Sequence, residues 1–308
     1  MMEKFYNSTQ KYFNLTDWVD ISSSMSLHSW VILPIALPMV CVAICGLFSL
    51  IKTDHVAPVY VINLLISDVL QICTKPIALS IPPSGVTYEL VVFTYSSSLM
   101  ACVGFMVCIA GERYVMIAHP LWYRCHRTIT KSLLCSFTVW MTAFVIIGGI
   151  TLASAAFVVD IHRVALCLCI INLLPYPFVM LFFVGTWRAL SKSKSVSSRE
   201  QRRIMGTLAL VLFIYTALFL PYIVLMQMFQ IFPELMKEGV FQRFAVMSST
   251  LLSLNPMVDP ILYVFMRKKD LLVLPCRRCR QHPQAQKEFF LTLPTGVGDR
   301  ETIRNLTD

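Results

Sequence analysis

A chain of 308 residues that is 56% hydrophobic and only 14% charged, with a net charge of +9 and a mean hydropathy of +0.68, cannot present an ordinary water-facing surface; soluble domains carry roughly 25% charged residues. Nucleic acid is excluded as the reason for the positive charge, because the basic residues sit in short segments between long apolar runs. Most of the eleven cysteines lie inside those runs, where Cys behaves as a small hydrophobe, and no spacing among them resembles a zinc site or a secreted disulfide framework.

In chain order, residues 1–28 are polar and lack the basic-then-apolar pattern of a cleaved leader. They are expected to form an extracellular segment, with the first apolar run acting as an uncleaved insertion signal. Crossing about 30 Å of hydrocarbon takes about 20 mostly apolar residues. Seven segments qualify: Ser29–Ile51, Ala57–Ile81, Tyr88–Ile117, Ser132–Val158, Val164–Leu190, Ile204–Phe232 and Val240–Met266. The expected fold is therefore an all-α membrane protein, a seven-transmembrane helix bundle over residues 29–266. Short connections suit antiparallel neighbours, and no internal repeat is visible. Residues 267–308 read as a short amphipathic eighth helix and a tail, because the basic run Arg267, Lys268 and Lys269 follows Phe265 and is followed by Leu271, Leu272 and Leu274.

The loops carry the orientation. Arg124, Arg127 and Lys131 follow the third segment, Lys192, Lys194, Arg199, Arg202 and Arg203 the fifth, and a basic cluster from Arg267 to Arg280 the seventh. The opposite loops carry Glu89, Asp160, Glu234 and Glu238. Basic loops stay cytoplasmic, so a multi-pass plasma-membrane protein with its N-terminus outside is expected. Asn7 and Asn14 head sequons on that outer side and are candidate glycosylation sites, whereas the sequon at Asn305 would be cytoplasmic. Cys276 and Cys279 follow the amphipathic helix where S-palmitoylation is chemically accessible; the alternative is two spare thiols.

A charge at the bilayer centre costs on the order of 2.5–3.5 kcal/mol, so it usually serves function or faces the bundle interior. Asp68 lies in the second segment; Asn255 and Asp259, four apart and on one helical face, lie in the seventh. Two carboxylates and an amide could hold a hard cation such as a sodium ion, or form a hydrated cluster with one Asp protonated. No other cofactor or metal is indicated. Pro76, Pro177, Pro221, Pro256 and Pro260 fall within spans and open kinks that permit hinge motion.

At the inner end of the third span stand Glu112, Arg113 and Tyr114, followed by His119-Pro120-Leu121. This run resembles the Asp/Glu-Arg-Tyr signature of rhodopsin-like G-protein-coupled receptors. The match extends over nearly the whole chain through Asp68, Trp140, Phe219-Leu220-Pro221 and Asp259-Pro260-Ile261-Leu262-Tyr263, each in its expected helix. The resemblance implies a heterotrimeric G protein as partner and no catalytic role. It implies that Glu112 restrains Arg113 at rest, that Tyr114 belongs to the same coupling motif, and that Leu121 is the apolar plug of the second cytoplasmic loop. Arg202 and Arg203 would face the same partner. Phe219 would transmit ligand contact to motion at Pro221, with Asp259, Pro260 and Tyr263 completing the switch. Asp259 at the head of its motif, with Phe219 in place of the usual Trp, is similar to the branch of nucleotide, protease-activated, proton-sensing and lysolipid receptors. The Trp122-Tyr123-Arg124-Cys125-His126-Arg127 run is similar to Mas-related receptors.

The chain departs from the family pattern in three places. The first span lacks its customary Asn, no Cys lies near Tyr88, and Cys167 and Cys169 therefore lack their usual partner. A ligand would occupy the outer half of the bundle, facing Lys75, Tyr95, Ser98, Leu99, Tyr222, Met226, Gln230, Arg243 and Met247. Tyr95 stands where amine receptors carry Asp, which argues against a biogenic amine. Lys75 with Arg243 would favour an anionic lipid, a nucleotide or a small carboxylate; alternatively Lys75 snorkels to the interface. Proton or peptide sensing is a second option within the fold. A retinal Schiff base is excluded, since residues 244–266 contain no lysine. A transporter or channel is the rival class, though no repeat supports it.

Overall fold

The computed structural model of the chain describes residues 15–54, 59–82, 85–120, 122–123, 128–155, 170–192, 198–231 and 239–262. Seven helices account for nearly all of them, and no strand occurs among the described residues. They are α1 (Leu15–Asp54), α2 (Val59–Ser80), α3 (Val86–Ala118), α4 (Ile129–Ala155) and α5 (Pro175–Lys192). Helix α6 runs Ser198–Ile214, widens into a π-helical turn over Tyr215–Phe219 and resumes as Leu220–Ile231. Helix α7 runs Gly239–Ser253 and, after a turn at Leu254, continues as Asn255–Val258.

Six of these helices are long and apolar enough to cross a bilayer. The seventh expected span is present but broken. At Leu254 the amide bonds the carbonyls of both Thr250 and Leu251, a tightened final turn, and Pro256 sits in the first turn of the next segment, where its missing donor costs little. The π-helical turn in α6 has a related cause. Pro221 cannot donate to the carbonyl four residues back, and the widened register accommodates its ring.

Two details differ from the sequence reading. Helix α1 begins at Leu15, so residues 15–28, expected as part of a non-spanning N-terminal segment, are helical; no Gly or Pro interrupts them. Pro34 and Pro38 also lie inside α1, in addition to the span prolines singled out above.

Helix α3 is the axis of the bundle and packs against α2, α4, α5 and α6, while α1 closes the ring by touching α2 and α7. Ala101, Cys102, Phe105 and Met106 on α3 are fully buried against Leu64 and Leu65 of α2, Val211, Ile214 and Tyr215 of α6, and Leu252 of α7. The outer faces are apolar instead of polar: Val42, Val145, Leu152 and Leu181 are each about two-thirds or more exposed. In water that surface would drive association; in lipid it is the solvent-compatible face.

Candidate functional site

Three groups of side chains lie along the bundle interior. The first is at the end of α3. Glu112 Oε1 accepts a hydrogen bond from the Tyr123 hydroxyl at 3.0 Å, and the Nε of Arg113 is buried without a partner. Tyr114 is held sideways against α5: its ring lies 5.7 Å from that of Phe182, and a Cβ on Gly185 would come within 2.7 Å of it. Gly185 is the reason the Tyr114 ring fits. On α6, Arg202 is exposed and Arg203 half-buried. Leu121 lies outside the described residues.

Phe219 belongs to an aromatic ladder in the second group. Its ring stacks on Tyr215 at 5.7 Å, and Tyr215 stacks on Tyr176 of α5 at 5.4 Å. The Tyr215 hydroxyl donates to the carbonyl of Asn172. The π-helical turn spans Tyr215 to Phe219, so both α6 rings sit on the irregular segment next to Pro221. Sequence reading found Phe219 and Pro221 but missed Tyr215 and Tyr176, which carry no distinguishing spacing among many aromatics.

The third group joins α2 to α7 at mid-depth. Asn255 Nδ2 donates to Asp259 Oδ2 at 3.0 Å and lies 3.4 Å from Asp68 Oδ1 and 3.5 Å from Cys102 Sγ. Asp68, Asn255 and Asp259 are fully buried. Ligating atoms of Asp68, Cys102 and Asp259 all lie within 4.8 Å of one another. The three residues picked out by their polarity thus do converge, and Cys102, which the sequence did not mark, joins them. Three oxygens of this cluster, Asp68 Oδ2, Asn255 Oδ1 and Asp259 Oδ1, have no hydrogen-bond partner. Orphaned buried acceptors of this kind suit a hard cation, the oxygens being suitable ligands and the thiol a poor one. Pro260 is buried beside the cluster, and Tyr263 lies outside the described residues.

Above this cluster Asp68, Gln71 and Lys75 follow one another at spacings of three and four, one face of α2. Lys75 and Gln71 line a small pocket with Tyr95 of α3, Ser253 and Pro256 of α7, and Ser29 of α1. Lys75 does not snorkel. Its Nζ crosses to α7 and donates to the Ser249 carbonyl at 2.8 Å and the Ser253 hydroxyl at 2.5 Å. Arg243 is not its neighbour: it is exposed and lies about 120° round α7 from Ser249. Met247 is exposed too. Ser98 is buried and donates to the Tyr95 carbonyl, and Leu99 and Tyr222 are half-buried; none of the three lines the Lys75 pocket. Met226 falls within the C-terminal segment of α6. The residues proposed for glycosylation and palmitoylation, Asn7, Asn14, Cys276 and Cys279, and the expected eighth helix lie outside the described residues.

Comparison with known proteins agrees with this arrangement. The family model for the seven-transmembrane receptors of the rhodopsin family matches residues 38–263. The chain is 23% identical to G-protein coupled receptor 68 of Bos taurus over 310 residues, covering 90% of this chain and 85% of that one. It is 23% identical to the uracil nucleotide/cysteinyl leukotriene receptor of Homo sapiens over 246 residues, 71% of this chain and 66% of that one. A shorter stretch of 129 residues is 30% identical to the Mas-related G-protein coupled receptor MRG of Homo sapiens, 36% and 34% of the two chains. The axial α3 with its Glu-Arg-Tyr end, the proline-bent α6 and α7, and a family match across all seven helices together make this chain a member of the rhodopsin family of seven-transmembrane receptors, a cell-surface receptor that signals through a G protein.

Proposed function

We propose that the receptor responds to a ligand bearing a carboxylate or phosphate, an anionic lipid, nucleotide or small carboxylate, received by Lys75. One observation carries this reading. An ammonium lies inside the bundle, in a small pocket it shares with Gln71 and Tyr95, and both of its hydrogen-bond partners are neutral acceptors. An ammonium has three donors, so one is left for a ligand. A buried cation without an anion is costly, and an acidic ligand supplies the missing charge. Relatives named as receptors for uracil nucleotides, cysteinyl leukotrienes and lysophosphatidic acid support the same class, each of these ligands being acidic.

The N-terminus is outside in this reading, which places the pocket toward the extracellular face and Arg113 toward the G protein. Asp68, Asn255 and Asp259 hold a sodium ion that stabilises the unliganded bundle. The test of the ligand reading is a panel of nucleotides, lysolipids and small carboxylates read out by G-protein activation, on wild type and Lys75→Met at matched surface levels. A charge-assisted hydrogen bond contributes about 1.5–3 kcal/mol, so Lys75→Met is expected to raise the half-effective concentration of an active acid roughly tenfold to a hundredfold. Unchanged potency in the variant ends the proposal.

A further inference from the structure

We propose that Cys108 and Cys135 form an oxidative modification site, a reversible disulfide between α3 and α4 made by a hydroperoxide. Their sulfurs are 3.9 Å apart, each on a different helix and both half-buried free thiols. A disulfide needs about 2.05 Å between sulfurs, a closure within reach of side-chain rotation if the backbones are already close. A second observation shows that they are. One turn from Cys108 is Gly104, and one turn from Cys135, in the opposite chain direction, is Val139. A Cβ built on Gly104 would lie 2.8 Å from Val139 Cγ1, so the two helices meet at van der Waals contact there only because Gly104 has no side chain. In antiparallel helices the next pair along the same seam is Cys108 with Cys135.

The chemistry balances. One thiol, as thiolate, attacks the terminal peroxide oxygen; the O–O bond breaks and the leaving oxygen takes a proton, giving a sulfenic acid and an alcohol or water. The second thiol displaces hydroxide from that sulfenic sulfur, which leaves as water. Two thiols lose two protons and two electrons, and a lipid hydroperoxide is reduced to an alcohol and one water, or hydrogen peroxide to two waters. Hydrogen peroxide from the aqueous phase and a lipid hydroperoxide share this reactivity. Leu133, Leu134 and Phe137 beside Cys135 are exposed, so the α4 side of the pair adjoins lipid. Cys108 precedes Arg113 by five residues, about 7.5 Å along the helix axis. The bond would pin that end of α3 to α4.

The experiment uses the full-length receptor in lipid nanodiscs, with one arm given hydrogen peroxide over saturated lipid and the other made with hydroperoxidised phosphatidylcholine. Non-reducing peptide mass spectrometry is expected to find a Cys108–Cys135 cross-linked peptide, two hydrogens lighter than the pair and released by a phosphine reductant. The arm that yields it identifies the oxidant's source. Cys135→Ser should abolish the peptide, and Gly104→Ala should slow its formation several-fold without removing either thiol. Absence of the cross-link in both arms, or oxidation of these thiols only to sulfinic or sulfonic acid, overturns the proposal. An unchanged rate in Gly104→Ala overturns its geometric basis.

Discussion

Arg113 shows how much one side chain can be set by its surroundings. Its Nε is buried and unbonded, while neighbouring Glu112 accepts from Tyr123, a residue of the following loop. An unsatisfied guanidinium donor is poised for a partner's carbonyl oxygens, since a guanidinium carries five donors and no acceptor. Arg113→Ala, compared with wild type at equal surface expression, is expected to reduce G-protein activation at least tenfold, the loss of a charged hydrogen bond of about 1.5–3 kcal/mol. Equal signalling in the two would remove Arg113 from the coupling surface. At this scale the sequence was readable wherever polarity was out of place. Asp68, Lys75, Asn255 and Asp259 announced themselves as charges and an amide in apolar runs, and they converge or face the bundle. Cys102, Gln71 and Tyr123 did not, because a thiol, an amide among other polar residues and a loop tyrosine are each ordinary in their local setting.

Helices α2 and α7 are linked at two levels, by Lys75 to Ser249 and Ser253 above and by Asn255 to Asp68 below. The lower link stands next to the break in α7, where the helix is already interrupted at Leu254. Two buried carboxylates close together repel unless a proton or a cation lies between them. A sodium ion there would tie the broken half of α7 to α2. The purified receptor should therefore melt at higher temperature in sodium chloride than in an equal ionic strength of N-methylglucamine chloride, by the equivalent of about 1.4 kcal/mol at a tenfold excess over the dissociation constant. Asp68→Asn and Asp259→Asn should each erase the difference. A sodium response that survives both substitutions would place the ion elsewhere. The spans themselves were legible as elements because length and apolarity decide membrane crossing. The break at Leu254, the π-helical turn before Pro221 and the early start of α1 were not. Prolines predict that a helix is disturbed, but the neighbours that re-satisfy the freed carbonyls decide what form the disturbance takes.

Among the described residues the bundle is apolar both in its core and on its outer faces, with a small set of polar side chains buried inside, whereas a soluble fold turns a polar face outward. That apolar exterior leaves the orientation to the loops. An epitope inserted within residues 191–200 should be detected only after permeabilisation, and one placed before Leu15 on intact cells; the opposite pattern would invert every assignment of pocket and coupling face. Composition, seven apolar runs and the Glu112-Arg113-Tyr114 and Asp259-Pro260 motifs were enough, by themselves, to determine class, family and the inventory of polar residues within the membrane. Only the packed bundle decided which of those residues meet. Lys75 reaches α7 instead of the interface, Arg243 stands apart from it, and Cys108 comes to rest against Cys135. Contacts between helices depend on the rotation of each helix about its axis, and that rotation is settled by the simultaneous fit of every neighbour, such as the missing side chain at Gly104, which no single segment of sequence encodes.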